Sequence, residues 1–78
     1  MPWFNRLAEY RRDGTPCVLI TVVGADGSTP REAGTKMIAT PRGQSGTIGG
    51  GALEHEAVAR ARALLMAGTT TPVLEEVP

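Results

Sequence analysis

Apolar positions near the start of the chain recur at helical spacing. Trp3, Phe4, Leu7, Ala8 and Arg11 share one face, with Arg11 and Arg12 in the last turn and Asp13-Gly14 as a stop. The pattern predicts a short amphipathic helix from Pro2 to Arg12. The period then changes. Cys17-Val18-Leu19-Ile20-Thr21-Val22-Val23 is a nearly unbroken β-branched and apolar run bounded by Pro16 and Gly24, the signature of a strand covered on both faces and central in its sheet.

Residues 24–34 hold three glycines, a proline and several turn formers, and read as a long loop of the kind that more often carries function than mere connection. Lys36-Met37-Ile38-Ala39-Thr40 alternates as a second strand. Pro41-Arg42-Gly43 turns it back through Gln44-Ser45 to Gly46-Thr47-Ile48, giving a hairpin. After Gly49-Gly50-Gly51, Leu53, Ala57, Ala61, Leu64 and Leu65 line one helical face, while His55, Glu56, Arg60 and Arg62 point elsewhere. Glu56 stands four residues before Arg60, the favourable order for an exposed pair, and Gly68 ends the helix. Thr69 to Pro72 connects to a further strand, Val73 to Val77.

These elements make an α+β (or small α/β) domain: N-terminal helix, central strand, hairpin, glycine-led helix and C-terminal strand. With 78 residues, 41% of them hydrophobic and 21% charged, one globular domain is expected. Its core is small, since a chain of this size buries only roughly 60% of its unfolded surface.

Eight basic and eight acidic residues cancel, which removes the electrostatic case for nucleic-acid or membrane-surface binding. The single cysteine, Cys17, allows neither an internal disulfide nor a cysteine-based metal cluster. No apolar run is long enough for an integral membrane segment, and no secretory signal opens the chain. A cytoplasmic location is the resulting expectation.

The chemistry concentrates around the glycine run. Three consecutive glycines permit positive φ and close backbone approach, and the helix behind them begins with unpartnered amides. The combination is a candidate anion cradle, worth about 0.3 to 1 kcal/mol per exposed charge. Neither nucleotide fingerprint fits it. Glu54 stands where G-x-G-x-x-G needs its last glycine, and no Gly-Lys-Ser/Thr follows. The competing explanation is that the glycines only allow a strand and a helix to pack closely, with Glu54 and Glu56 answering the helix dipole without a ligand.

A second candidate lies upstream. In Gly27-Ser28-Thr29-Pro30-Arg31, small hydroxyls beside an arginine can hold phosphate or carboxylate, or the same residues can cap a turn with Arg31 solvated. Lys36 can add a point charge to that pocket or simply be exposed. His55, the only histidine, has no neighbouring ligands and reads as a surface residue, so no metal site is expected. Cys17 reads as a small buried hydrophobe, with a sulfur-handling thiol as its alternative.

In order, the motifs are Val18 to Val23, Gly27-Ser28-Thr29-Pro30-Arg31, Gly34-Thr35-Lys36-Met37 and Gly46-Thr47-Ile48-Gly49-Gly50-Gly51-Ala52-Leu53-Glu54. Together they resemble the N-terminal domain of the XdhC/CoxI family, accessory proteins of xanthine dehydrogenase and related molybdenum hydroxylases. The likeness runs from Trp3 to about Ala67, with three separate motifs in order and spacing. It implies a maturation factor, not an enzyme, that binds molybdenum cofactor (molybdopterin) transiently. Such a protein holds the cofactor while a cysteine desulfurase helps install the terminal sulfido ligand, then delivers it to the hydroxylase, in purine catabolism for xanthine dehydrogenase. The family usually carries a second, C-terminal Rossmann-like domain. Residues 1–78 are expected to represent the N-terminal domain without it, and a homodimer is one expected assembly.

On this reading Gly49, Gly50 and Gly51 supply amides to the cofactor phosphate, and Arg31 and Lys36 neutralise it. Ser28, Thr29 and Thr47 add hydrogen bonds, and no residue is catalytic. Two alternatives stand beside it. One is an interaction module for the hydroxylase or for a second domain, without a ligand of its own. The other is a sulfur carrier acting through Cys17, disfavoured because no base neighbours that thiol in sequence.

Overall fold

The computed structural model describes residues 3–23 and 34–69. The expected loop at 24–33, with Ser28, Thr29 and Arg31, and the expected strand Val73 to Val77 lie outside the described residues. Within them the chain runs α1 (Trp3–Asp13), β1 (Val18–Thr21), β2 (Lys36–Ala39), β3 (Gln44–Gly46) and α2 (Gly51–Met66). The fold is small α+β, as the periodicity predicts.

The three strands form one antiparallel sheet in the order β1-β2-β3. Val18 faces Ala39 and Thr21 faces Lys36 across the first pair. Met37 faces Gly46 and Ala39 faces Gln44 across the second. This corrects one expectation: the apolar run at 17–23 is not the central strand of the described sheet. β2 takes that place because it pairs on both sides, and β1 lies at an edge with Thr21 exposed.

Burial follows the pleat. Met37 and Ala39 have no exposed surface and join Ile48, Val58 and Ala61 in the core, with Val18, Ile20, Val22, Leu53 and Ala57 packed around them. That is the face α2 covers. Ile38, also without exposure, alternates to the opposite face, where α1 packs on β2 and β3. The described sheet is therefore clad by a helix on each side, and a β-strand of only four residues is the most buried element among the described residues.

Both helices run in the same direction across the sheet. α1 starts with Trp3 beside Lys36 at the head of β2, and the Gly14-Thr15-Pro16 segment beyond its end meets Thr40 and Pro41 at the hairpin turn. α2 starts just after β3 has passed Met37, and its Arg62 reaches the same turn. The N-termini of both helices thus gather at one end of the sheet, with Lys36, the glycine run and Gly34.

Candidate functional site

The glycine run adopts a backbone that only glycine takes without strain. Gly49, Gly50 and Gly51 have φ of 118°, 75° and 72° in succession, and Gly46 before them has φ of 81°. The turn carries the chain from the β3 edge to the start of α2 within a few residues, so that Ile48 is buried while Thr47, Gly49 and Gly51 remain exposed.

The centre of this turn is a side chain. Glu54, in the first turn of α2, reaches back so that its Oε1 accepts the backbone N–H of Ile48 at 2.9 Å, the N–H of Gly50 at 3.0 Å and the hydroxyl of Thr47. Its Oε2 accepts the side-chain amide of Gln44 at 3.1 Å. Thr47 Oγ1 in turn accepts the N–H of Gly49 at 3.0 Å. The arrangement resembles a capping box displaced by one residue, with a carboxylate bound to the N–H of the residue that caps α2. Hydrogen bonds, from the Thr47 hydroxyl first and the Ile48 amide next, hold the Glu54 carboxyl below its ordinary range, with slight burial opposing them.

The anion answering the glycine loop in this structure is accordingly the chain's own carboxylate. Of the residues expected to bind cofactor, Thr47, Gly49 and Gly50 are brought together around Glu54, and Gly51 opens α2 beside them. Lys36 takes a different direction. Its Nζ lies 5.6 Å from the centroid of the Trp3 ring, a cation–π arrangement, and donates a long 3.5 Å hydrogen bond to the carbonyl of Gly34. It stands on the α1 face of the sheet. Trp3 also packs edge-to-face on Phe4, their centroids 5.7 Å apart.

Periodicity assigns Arg62 to a face pointing away from the core. In the structure it is half-buried and bridges the hairpin turn, donating from Nε to the Thr40 carbonyl at 3.0 Å and from Nη2 to the Gly43 carbonyl at 3.2 Å. Thr40 closes the same turn through its hydroxyl and amide. The local sequence carries a signal for Glu54, an acid in the first helical turn. For Gln44 and Arg62 it carries none, because their partners are ten and about twenty residues away.

Cys17 precedes β1 and is half-buried. Burial raises its thiol pKa above the ordinary 9.0, with Arg11 partly opposing the rise. At neutral pH this leaves little thiolate, which weighs against a nucleophilic role. His55 is exposed. Among the described residues no group of three or more His, Cys, Asp or Glu is gathered where it could hold a metal, and no helix is long and apolar enough to cross a membrane.

A family model, that of the XdhC and CoxI family, matches residues 10–77. The chain belongs to the XdhC/CoxI family. The match spans the strand, the hairpin, the glycine turn and α2, and so includes every element that builds the Glu54 arrangement. Membership suggests a role in maturing a molybdenum hydroxylase, as an accessory factor associated with that enzyme. No match to the chain was found among curated proteins or solved structures.

Proposed function

We propose that this XdhC/CoxI chain binds molybdenum cofactor as cargo, protects it during sulfuration with a cysteine desulfurase, and passes it to xanthine dehydrogenase or a related hydroxylase. The observation that supports this reading is the glycine turn itself, three successive positive-φ glycines leading into the N-terminus of α2, with the Lys36 ammonium at the same end of the sheet on its other face. A helix N-terminus and a cation each favour an anionic group such as the cofactor phosphate. The polar groups of Thr47, Gln44 and Glu54 beside them suit a flat heterocycle rich in hydrogen-bonding atoms. Arg31, Ser28 and Thr29, which lie outside the described residues, are assigned to the site on the chemistry of their side chains alone. No bond-breaking chemistry is assigned to the chain itself.

Titration of the protein with molybdenum cofactor, followed by its protection from oxidation, tests the reading. Arg31→Ala and Lys36→Met are expected to weaken binding while the helical circular dichroism stays near wild type. Absence of binding by the wild-type protein, or unchanged binding in both variants, contradicts it.

A second reading, a docking module without a ligand, is favoured by the opposite end of the sheet. There Pro16, Pro41, Leu65 and Met66, with Arg62, line an open, mostly apolar hollow of about 240 Å³, and Met66 is 91% exposed. The same titration separates the two, since a docking module leaves the cofactor unprotected.

A further inference from the structure

The end of the sheet away from the glycine turn presents two adjoining hollows. Thr15, Pro16, Thr40, Pro41 and Arg42, with Gly14, line one of about 300 Å³, and Pro16, Pro41, Arg62, Leu65 and Met66 line the other of about 240 Å³. Pro16 and Pro41 belong to both, so the exit of α1, the hairpin turn and the last turn of α2 form one continuous surface. Its floor is mostly apolar, and Met66 stands exposed on it. Charge gathers at the same end. Arg11 and Arg12 lie in the last turn of α1, Arg42 stands in the hairpin turn, and Arg62 clasps that turn through its Nε and Nη2. Among the described acids only Asp13 shares this end. Glu54 and Glu56 lie in the first two turns of α2 at the other end, and Glu9 is paired with Arg6 at 3.1 Å.

We infer that this surface is where the molybdenum hydroxylase docks, through an acidic segment that seats an apolar side chain beside Leu65 and Met66. An apolar floor within a charged margin is the anatomy of a protein–protein contact. The arginines fix the sign of the partner, because carboxylates accept from planar guanidinium forks in bidentate pairs and a basic partner is turned away. The two prolines, with φ fixed, give the shared ridge little freedom to lose on binding. A nucleic-acid backbone brings phosphates to the arginines and nothing apolar to Met66, which favours a protein. Because the hollows lie at the opposite end of the sheet from Gly49 to Gly51, a hydroxylase seated there leaves the glycine turn uncovered.

This inference rests on the reading that the chain is an accessory factor of a hydroxylase, and the experiment keeps the two apart. The 78-residue protein is titrated with apo xanthine dehydrogenase of the same organism at about 20 mM and about 300 mM salt, and separately with molybdenum cofactor. Wild type is expected to bind the dehydrogenase, and several-fold more weakly at the higher salt because the arginines act at the exposed margin. Arg42→Glu is expected to weaken this binding by about tenfold and Met66→Ser by a few-fold. Arg42 and Met66 are both exposed, so the variants keep the fold, which helical circular dichroism checks. Cofactor binding is expected to be unchanged in both.

Dehydrogenase binding that is unchanged in either variant, or that lacks salt dependence, overturns the inference. So does binding that strengthens in the double variant Glu75→Gln, Glu76→Gln, which makes the chain's own acidic pair the occupant. Equally strong, salt-dependent binding of a mixed-sequence DNA duplex, lost in Arg42→Glu, assigns the arginines to phosphates and also overturns it. Absence of dehydrogenase binding overturns it and, where molybdenum cofactor still binds, leaves the cofactor-carrier reading intact. Failure to bind either overturns both.

Discussion

Glu54 Oε1 accepts the backbone N–H of Ile48 at 2.9 Å across six residues, tying the first turn of α2 to the end of the hairpin. The bond makes the glycine turn dependent on ionisation. Hydrogen bonds hold the Glu54 carboxyl below its ordinary value of 4.5, so between that value and the lower folded one the native state binds fewer protons than the unfolded chain. Its contribution to stability is therefore complete above 4.5 and is lost as pH falls through the folded value. The amide resonances of Ile48 and Gly50 are expected to titrate with a midpoint below 4.5, and to lose that titration in Glu54→Gln. A midpoint at or above 4.5 contradicts the arrangement.

Arg62 joins α2 to the hairpin turn at the other end of the sheet through two hydrogen bonds from one guanidinium. Arg62→Met keeps much of the apolar stem and removes both donors, leaving the Thr40 and Gly43 carbonyls with fewer partners. A loss of about 1–2 kcal/mol is expected from urea denaturation. Lysine offers a point charge in place of a planar fork, so Arg62→Lys is expected to recover less than half of the loss.

Two glycines with similar φ are expected to respond differently to alanine. Gly46 (φ 81°) and Gly51 (φ 72°) both carry a left-handed strain cost of about 1–2 kcal/mol when substituted. A Cβ at Gly51 meets nothing within 4 Å, whereas one at Gly46 comes to 3.3 Å from the Lys36 carbonyl and 3.5 Å from the Met37 Cα in the central strand. Gly46→Ala is therefore expected to unfold at lower urea concentration than Gly51→Ala, and equal midpoints contradict the crowding.

Cys17 is expected to react slowly. Burial raises its thiol pKa above 9.0 despite Arg11, so modification by a thiol reagent at pH 7 should proceed more slowly than that of free cysteine and accelerate as pH rises past 9.0. Cys17→Ser is expected to leave sulfuration of the cofactor unchanged in a reconstituted maturation assay. A variant that blocks sulfuration supports the sulfur-carrier alternative instead.

Most of the architecture was legible along the chain. The helix ends fall within a residue or two of the apolar period and its stops, and the hairpin follows from Pro41-Arg42-Gly43. The rank of the strands was not legible. The run at 17–23 has the stronger β signature, yet the four residues Lys36–Ala39 occupy the centre, since hairpin closure on one side and antiparallel pairing on the other give β2 two neighbours. The glycine turn was legible as a feature, and the hydrogen bonds that fill it were not. The three glycines were singled out as an anion cradle with Thr47 as a hydrogen-bond partner, while Glu54, which accepts the Ile48 and Gly50 amides and the Thr47 hydroxyl, stood in view as a mere dipole partner.

The sequence by itself determined the family, the element types and the need for glycine at 49 to 51, because periodicity, turn chemistry and positive φ are local properties written residue by residue. Tertiary structure alone decided which strand of the described sheet is central, that Arg62 clasps the hairpin, and that Glu54 accepts the Ile48 and Gly50 amides. Those outcomes depend on which groups come within about 3 Å of each other after the chain has closed on itself, a distance that no local pattern encodes.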